Sequence, residues 1–268
     1  MQREQKLLLL KIVSLFSVIR GYNIPIIIIA QYLSAIFIMA PEQRALSILL
    51  DFNIFILVFA SAIAIASGYI INNFYDSQKD LINRPSKSML DRLVSQKTKL
   101  QVYFTLNFIV ALMAWFISWR ALLFFSFYIF LIWFYSHKLK KIVFIGNLSA
   151  ALLAVWPFFA ILLYYYQPTS IEELERHKDH FAVIIAHASF LFLLILIREL
   201  IKDLENLKGD LANNYHTIPV FYGESWSKRI STGLTVLTLV PVYILIELYD
   251  VGYMDIYFYS SLIVLLFF

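Results

Sequence analysis

Residues 53–87 read NIFILVFASAIAIASGYIINNFYDSQKDLINRPSK. The first part, 53–71, carries no charge and is long enough to cross a ~30 Å hydrocarbon core as a helix. Where that apolar run ends, Asn72, Asn73, Asp76 and Asp80 appear at intervals of three and four. A continuing helix stacks such positions along one face. Carboxylates held at a bilayer centre cost about 2.5–3.5 kcal/mol each, so acidic residues at a span end default to a functional reading.

The rest of the chain supports a membrane setting. Of its 268 residues 61% are hydrophobic and 15% charged, and the mean hydropathy is +0.75. Ordinary soluble domains do not reach this composition. Apolar runs place spans at roughly 22–39, 53–71, 101–119, 121–136, 143–165, 181–198, 230–247 and from 256 onward. The expected fold is therefore all-α: a polytopic transmembrane helical bundle of eight spans forming one domain over 1–268. Residues 1–19 read as an interfacial N-terminal helix. The last run stops at Phe268 in mid-span, which leaves two expectations open: a truncated last span or a missing final helix. Pro25, Pro157 and Pro241 fall inside spans, which a bundle tolerates when neighbours satisfy the freed carbonyls. No cysteine is present, which excludes disulfides, thiol catalysis and thiolate metal sites.

Lysine and arginine set the expected orientation. Four lie in the N-terminal segment, six in the second connection, three in the fourth and five in the sixth, against four on the opposite side. The positive-inside rule then makes the N-terminus and both ends rich in acidic residues cytoplasmic. On the other side, Gln167 to His180 forms the main polar excursion, where Ser170 and Glu173 resemble a helix capping box. His177 and His180 in that segment are read as solvated rather than as metal ligands, and no HExxH-type spacing occurs.

A second ladder lies in IRELIKDLENLKGD, residues 197–210. Glu199, Asp203, Asn206 and Asp210 again share one helical face, with Gly209 a candidate end to the helix before Asp210. Two acidic ladders on one side of a bundle suit a hard divalent cation, because Mg2+ takes carboxylate and water oxygens and bridges to phosphates. Neighbouring bases, Arg84 and Lys87, Lys140 and Lys141, Arg198 and Lys202, then suit a metal-bridged diphosphate. Two plainer readings stand beside this. Either ladder alone could be a solvated helix extension, and the bases could reflect the positive-inside bias and anionic lipid, worth roughly 1 kcal/mol per residue. Arg92, Lys97 and Lys99 are read as lipid-facing or solvated. Phe74, Tyr75 and Tyr135 suit core packing or an aromatic belt.

These residues resemble the UbiA superfamily of intramembrane prenyltransferases. Asn72 to Asp80 matches its NDxxDxxxD signature except at the second position, where Asn73 stands for Asp. Asn83-Arg84-Pro85 with Lys87 resembles its RPxR-like continuation. Tyr135-Ser136, Leu139-Lys140 and Gly146-Asn147 resemble its YSxxLK and GN segment. Arg198-Glu199, Lys202-Asp203, Glu205, Gly209-Asp210, Thr217, Pro219 and Gly223 resemble the second signature, with Asn206 in place of a common Asp. Arg20, Asn23 and Gln31 sit where the first helix of such proteins carries polar residues.

The resemblance implies a bundle of nine helices, a central cavity open to lipid, and cytoplasmic cap loops. It also implies Mg2+ held by Asn72, Asp76, Asp203 and Asp210 with Asp80 assisting, the four aspartates being the catalytic set. Asn23, Arg84, Lys87, Tyr135, Lys140, Arg198 and Lys202 become substrate contacts. The implied partners are a prenyl diphosphate donor, a lipophilic acceptor and the bilayer, with no nucleic acid. In motif form the chain is similar to the branch that makes geranylgeranylglyceryl phosphate ethers, which makes a glycerol phosphate lipid hydroxyl the expected acceptor. An aromatic quinone precursor is the alternative acceptor. A transporter is the alternative class; it would carry ionisable residues at mid-span, whereas here they cluster at the cytoplasmic ends, although the two ladders hint at an internal duplication. The DGxxAR pattern of CDP-alcohol phosphotransferases is absent.

Overall fold

A computed structural model describes residues 3–165, 178–249 and 256. Among these, every regular element is a helix: α1 (Arg3–Val18), α2 (Ile24–Ser34), α3 (Ala45–Leu49), α4 (Phe52–Asn83), α5 (Pro85–Asp91), α6 (Gln96–Ile117), α7 (Trp119–His137), α8 (Ile145–Tyr165), α9 (Lys178–Glu205), α10 (Leu207–Ala212), α11 (Ile218–Tyr222), α12 (Glu224–Leu237) and α13 (Leu239–Tyr243). Seven stretches of the described residues are long and apolar enough to cross a membrane: Gly21–Met39, Phe52–Asn83, Gln96–Ile117, Trp119–Lys141, Ile145–Tyr165, Asp179–Glu205 and Glu224–Glu247. They coincide with the first seven spans expected from hydropathy. The eighth, from 256 onward, and the polar helix expected to start at Ser170 lie outside the described residues, as does His177. His180 is described, and it is not simply solvated: it is half-buried, with Nε2 3.2 Å from the Met39 carbonyl oxygen.

α4 is the hub. Its 32 residues extend roughly 48 Å at 1.5 Å per residue, so the ladder occupies turns beyond a ~30 Å hydrocarbon core. Asp51 caps its start, with Oδ1 accepting from the backbone N–H groups of Asn53 (2.8 Å) and Ile54 (3.1 Å). Pro85 ends it, because the residue before a proline is pushed out of the α region, and the same proline opens α5. Small residues let neighbouring helices close in: Ala60 and Ala64 are fully buried among Val110 and Ala114 of α6, Phe125 of α7 and Ala160 of α8.

Pro157 sits inside α8 and removes the N–H that would serve the Leu153 carbonyl. Tyr128 of α7 supplies the missing donor, its hydroxyl 3.1 Å from Leu153 O. The Pro157 carbonyl in turn accepts from Gln31 Nε2 of α2 at 2.9 Å. Pro25 and Pro241, by contrast, stand in the first turns of α2 and α13, where an unused N–H is no loss.

Candidate functional site

The two ladders meet. α4 supplies Asn72, Asp76, Lys79 and Asp80 to a polar pocket, and α9 supplies Glu199, Lys202 and Asp203 to the same pocket. Arg20, Arg84, Tyr135, Lys140, Asn147, Asn206 and Thr217 complete its walls. The second ladder does not run as one helix. It breaks at Asn206 and resumes as α10, so Gly209 lies within a helical turn rather than ending one. The reason for glycine is proximity: a Cβ there would collide with the Asn83 side-chain amide, and the Gly209 N–H donates to Asn83 Oδ1 at 2.9 Å. This contact fastens the end of the first ladder to the end of the second.

Lysines bind the carboxylates together. Lys140, from the turn between α7 and α8, is buried with Nζ 2.7 Å from Asp76 Oδ1 and 3.1 Å from Asn72 Oδ1. Tyr215 donates its hydroxyl to the same Asp76 oxygen at 2.8 Å. Burial, and then the Asp76 carboxylate, hold the Tyr215 phenol well above its ordinary range, so it stays protonated and remains a donor. Lys79 lies 2.5 Å from Asp210 Oδ1, with its ammonium 4.4 Å from the Tyr215 ring centroid. Asn147 donates to Asp203 Oδ2 at 2.7 Å, and Lys202 pairs with Glu199 at 2.6 Å. The turn carrying Lys140 is held from below, since a Cβ on Gly146 would come within 3.0 Å of the Lys140 carbonyl oxygen.

The expected site residues do not all converge. Asn72, Asp76, Asp80, Arg84, Tyr135, Lys140, Lys202 and Asp203 line the pocket. Asp210 is fully buried behind it, engaged with Lys79 and with the Thr217 hydroxyl at 3.3 Å. Lys87 faces a small adjoining recess with Arg20, Asp80, Arg84, Ser88 and Asp91. Arg198, with a side chain 63% exposed, pairs with Glu199 at the edge of an adjoining apolar cavity. Asn23 lines neither the polar pocket nor that cavity. Arg20 lines both, from a left-handed backbone position (φ 50°) between α1 and α2. Lys79 and Tyr215 are further site residues that spacing does not single out; in the sequence Lys79 is only a basic residue inside an acidic motif.

Asn73 points elsewhere. Its Nδ2 donates to Asp91 Oδ2 at 3.0 Å, and its Oδ1 accepts from Lys99 Nζ at 2.8 Å. Ser17 of α1 donates to the other Asp91 oxygen at 2.7 Å. Lys99 is therefore neither lipid-facing nor solvated: only 1% of it is exposed, because the first turn of α6 tucks beneath α4 and α5 and its ammonium finds acceptors there. Asn73 belongs to a buried brace between four helices and not to the pocket.

The polar pocket opens into the apolar cavity, which has a volume of about 560 Å³; the two share Arg20, Asn72, Tyr135, Glu199 and Lys202. Ile26, Ile27, Ile65, Tyr69, Tyr128, Leu153, Phe158 and Ile195 are among the walls of the cavity. A hard divalent cation fits the donor set. Asp76 Oδ2 and Asp203 Oδ1 accept no hydrogen bond from the described residues, one on each wall, and Asp80 adds carboxylate oxygens, whereas the Asn72 side-chain oxygen already accepts from Lys140. Among the described residues no three acidic or imidazole groups come together to hold a metal ion by themselves, so the expected aspartates do not form a closed cage.

Fold and site together define an integral membrane protein with a charged, oxygen-rich pocket at the head of an apolar cavity. Residues 28–268 match the UbiA prenyltransferase family, and the chain belongs to that family. It is similar to the digeranylgeranylglyceryl phosphate synthase of Methanobrevibacter smithii, 25% identical over 244 residues that cover 88% of this chain and 80% of that one. The enzyme of the same name from Thermococcus sibiricus is 29% identical over 188 residues, covering 70% of this chain and 61% of its own length. Among solved structures, a UbiA homologue from Archaeoglobus fulgidus bound to DMAPP and Mg2+ superposes with a TM-score of 0.66 at 16% identity, covering 92% of this chain and 86% of that one. A digeranylgeranylglyceryl phosphate synthase structure superposes with a TM-score of 0.65 at 21% identity, covering 90% and 79%.

Proposed function

We propose that this chain transfers a polyprenyl group from a prenyl diphosphate to the hydroxyl of a glycerol phosphate ether lipid, in a Mg2+-dependent reaction on the cytoplasmic side of the membrane. The observation that carries the reading is the continuity of the two spaces: a charged pocket lined by lysines, arginines and carboxylates shares its wall with an apolar cavity suited to an isoprenoid chain. The names of the relatives support the acceptor, and the Mg2+ and prenyl diphosphate bound by the A. fulgidus homologue support the donor and the metal.

Asp76, Asp80 and Asp203 would hold Mg2+, which when bound neutralises charge on the leaving diphosphate, while Asn72 fixes Lys140 beside Asp76. Arg20, Arg84, Lys140 and Lys202 face the same space and stabilise the developing negative charge from fixed positions, which costs no reorganisation during the reaction. The allylic carbon–oxygen bond breaks, the acceptor oxygen bonds to that carbon, and the hydroxyl proton leaves with the diphosphate. Tyr69, Tyr128 and Tyr135 line the route, where an aromatic ring facing the transient allylic cation would favour it by about 0.5–2 kcal/mol. The apolar walls keep water from capturing it. Arg198 at the cavity edge suits the acceptor phosphate.

Purified protein incubated with labelled prenyl diphosphates and each acceptor class, with Mg2+ or with EDTA, tests this. Metal-dependent transfer to the glycerol phosphate ether lipid is expected. Transfer only to an aromatic ring acceptor would replace the acceptor assignment, and absence of diphosphate release with every acceptor would refute the reading.

A further inference from the structure

Lys79 is the side chain to which the pocket chemistry assigns no task. It lies one helical turn after Asp76, among the pocket walls, yet its ammonium is directed across to the second ladder. There it meets Asp210 Oδ1 at 2.5 Å, while the other Asp210 oxygen accepts from Thr217 at 3.3 Å. Both oxygens of this fully buried carboxylate are thus taken by the chain itself. The Tyr215 ring, 4.4 Å from the ammonium, closes the arrangement, and the Tyr215 hydroxyl is fixed on Asp76. A metal could reach Asp210 only by displacing the Lys79 ammonium and separating a largely buried ion pair, which is costly. Asp76 and Asp203 differ, because each keeps an oxygen with no hydrogen-bond donor among the described residues.

We propose that Lys79 is a tethered cation that holds the place of a metal ion at Asp210, so that a diphosphate is bound here with one fewer divalent ion than the count of aspartates suggests. The inference rests on the diphosphate reading of the pocket. The ammonium neutralises Asp210 permanently and presents its residual field to the pocket, whereas a divalent ion would exchange with solvent.

Mn2+ titration of the detergent-purified full chain with inorganic pyrophosphate, followed by electron paramagnetic resonance of free Mn2+, tests it without reference to turnover. Asp210→Asn is expected to bind the same number of Mn2+ ions as the unmodified chain, with affinity within about threefold. Lys79→Met is expected to gain one site, which Lys79→Met/Asp210→Asn loses again, while Lys79→Arg keeps the original number. Loss of a Mn2+ site in Asp210→Asn would make Asp210 a direct ligand and overturn the proposal, as would an unchanged count in a folded Lys79→Met. If Lys79→Met does not fold, Asp210→Asn decides alone. An unmodified chain that binds no Mn2+ with pyrophosphate would overturn the diphosphate reading and this inference together; retained binding with loss in Asp210→Asn overturns this inference only.

Discussion

Asn73→Asp restores the aspartate of the NDxxDxxxD signature and is the substitution on which motif and structure disagree most sharply. If residue 73 faced the metal, a fourth carboxylate beside Asp76, Asp80 and Asp203 would tighten Mg2+ binding. The structure leads to another outcome. Asn73 Nδ2 lies 3.0 Å from Asp91 Oδ2, so Asp there sets two carboxylate oxygens against each other where one hydrogen bond stood. At an effective dielectric of ~20, the repulsion of two unit charges 3 Å apart is about 5.5 kcal/mol, and the gained attraction to Lys99 at 2.8 Å is about 6 kcal/mol. These nearly cancel. What remains is the lost donor and an added buried charge, a net destabilisation of about 1–3 kcal/mol. Asn73→Asp should therefore lower the thermal midpoint in detergent, measured by intrinsic fluorescence, while leaving the Mg2+ concentration for half-maximal transfer unchanged. A more than threefold fall in that concentration, with unchanged stability, would refute the assignment of Asn73 to the brace.

Asp76→Asn and Asp203→Asn should each reduce transfer by roughly 10²-fold or more with the protein still monodisperse, since each removes charge from the pocket while preserving shape; retained turnover in either removes that residue from the metal set. Tyr128→Phe should destabilise by about 1 kcal/mol through the unserved Leu153 carbonyl, and most of that cost should vanish in a Pro157→Ala background, where an ordinary helix N–H returns; additive effects in the cycle would contradict this. Gly209→Ala should displace Asn83 and break the bond from residue 209 N–H, costing about 1–3 kcal/mol against about 1 kcal/mol of improved helix propensity, with Asn83→Ala relieving the clash and lessening the loss in the double variant's melting temperature.

Hydropathy and periodicity are local properties, so the seven described spans, the two ladders and their common pocket are legible in the amino-acid order. The helical spacing that puts Asn72, Asp76 and Asp80 on one face survives folding, because α4 continues unbroken through the motif. Neighbouring residues on a helix differ by about 100°. Spacing alone therefore cannot say whether Asn72 or Asn73 faces the pocket, and packing against α5 and α6 turns Asn73 away. Equally, Gly209 reads as a helix end in the sequence, whereas the approach of Asn83, 126 positions away in the chain, explains it as a contact.

What the amino-acid order determined by itself is the class: a membrane bundle bearing two oxygen-rich ladders with basic neighbours. Only the tertiary structure decided the occupancy of each carboxylate, assigning Asp210 to Lys79, Asp76 to Lys140 and Tyr215, and Asp91 to the Asn73 brace. The reason is physical. A buried charge must find its partner within a few ångströms, and which partner stands there depends on how helices distant in sequence are rotated and stacked.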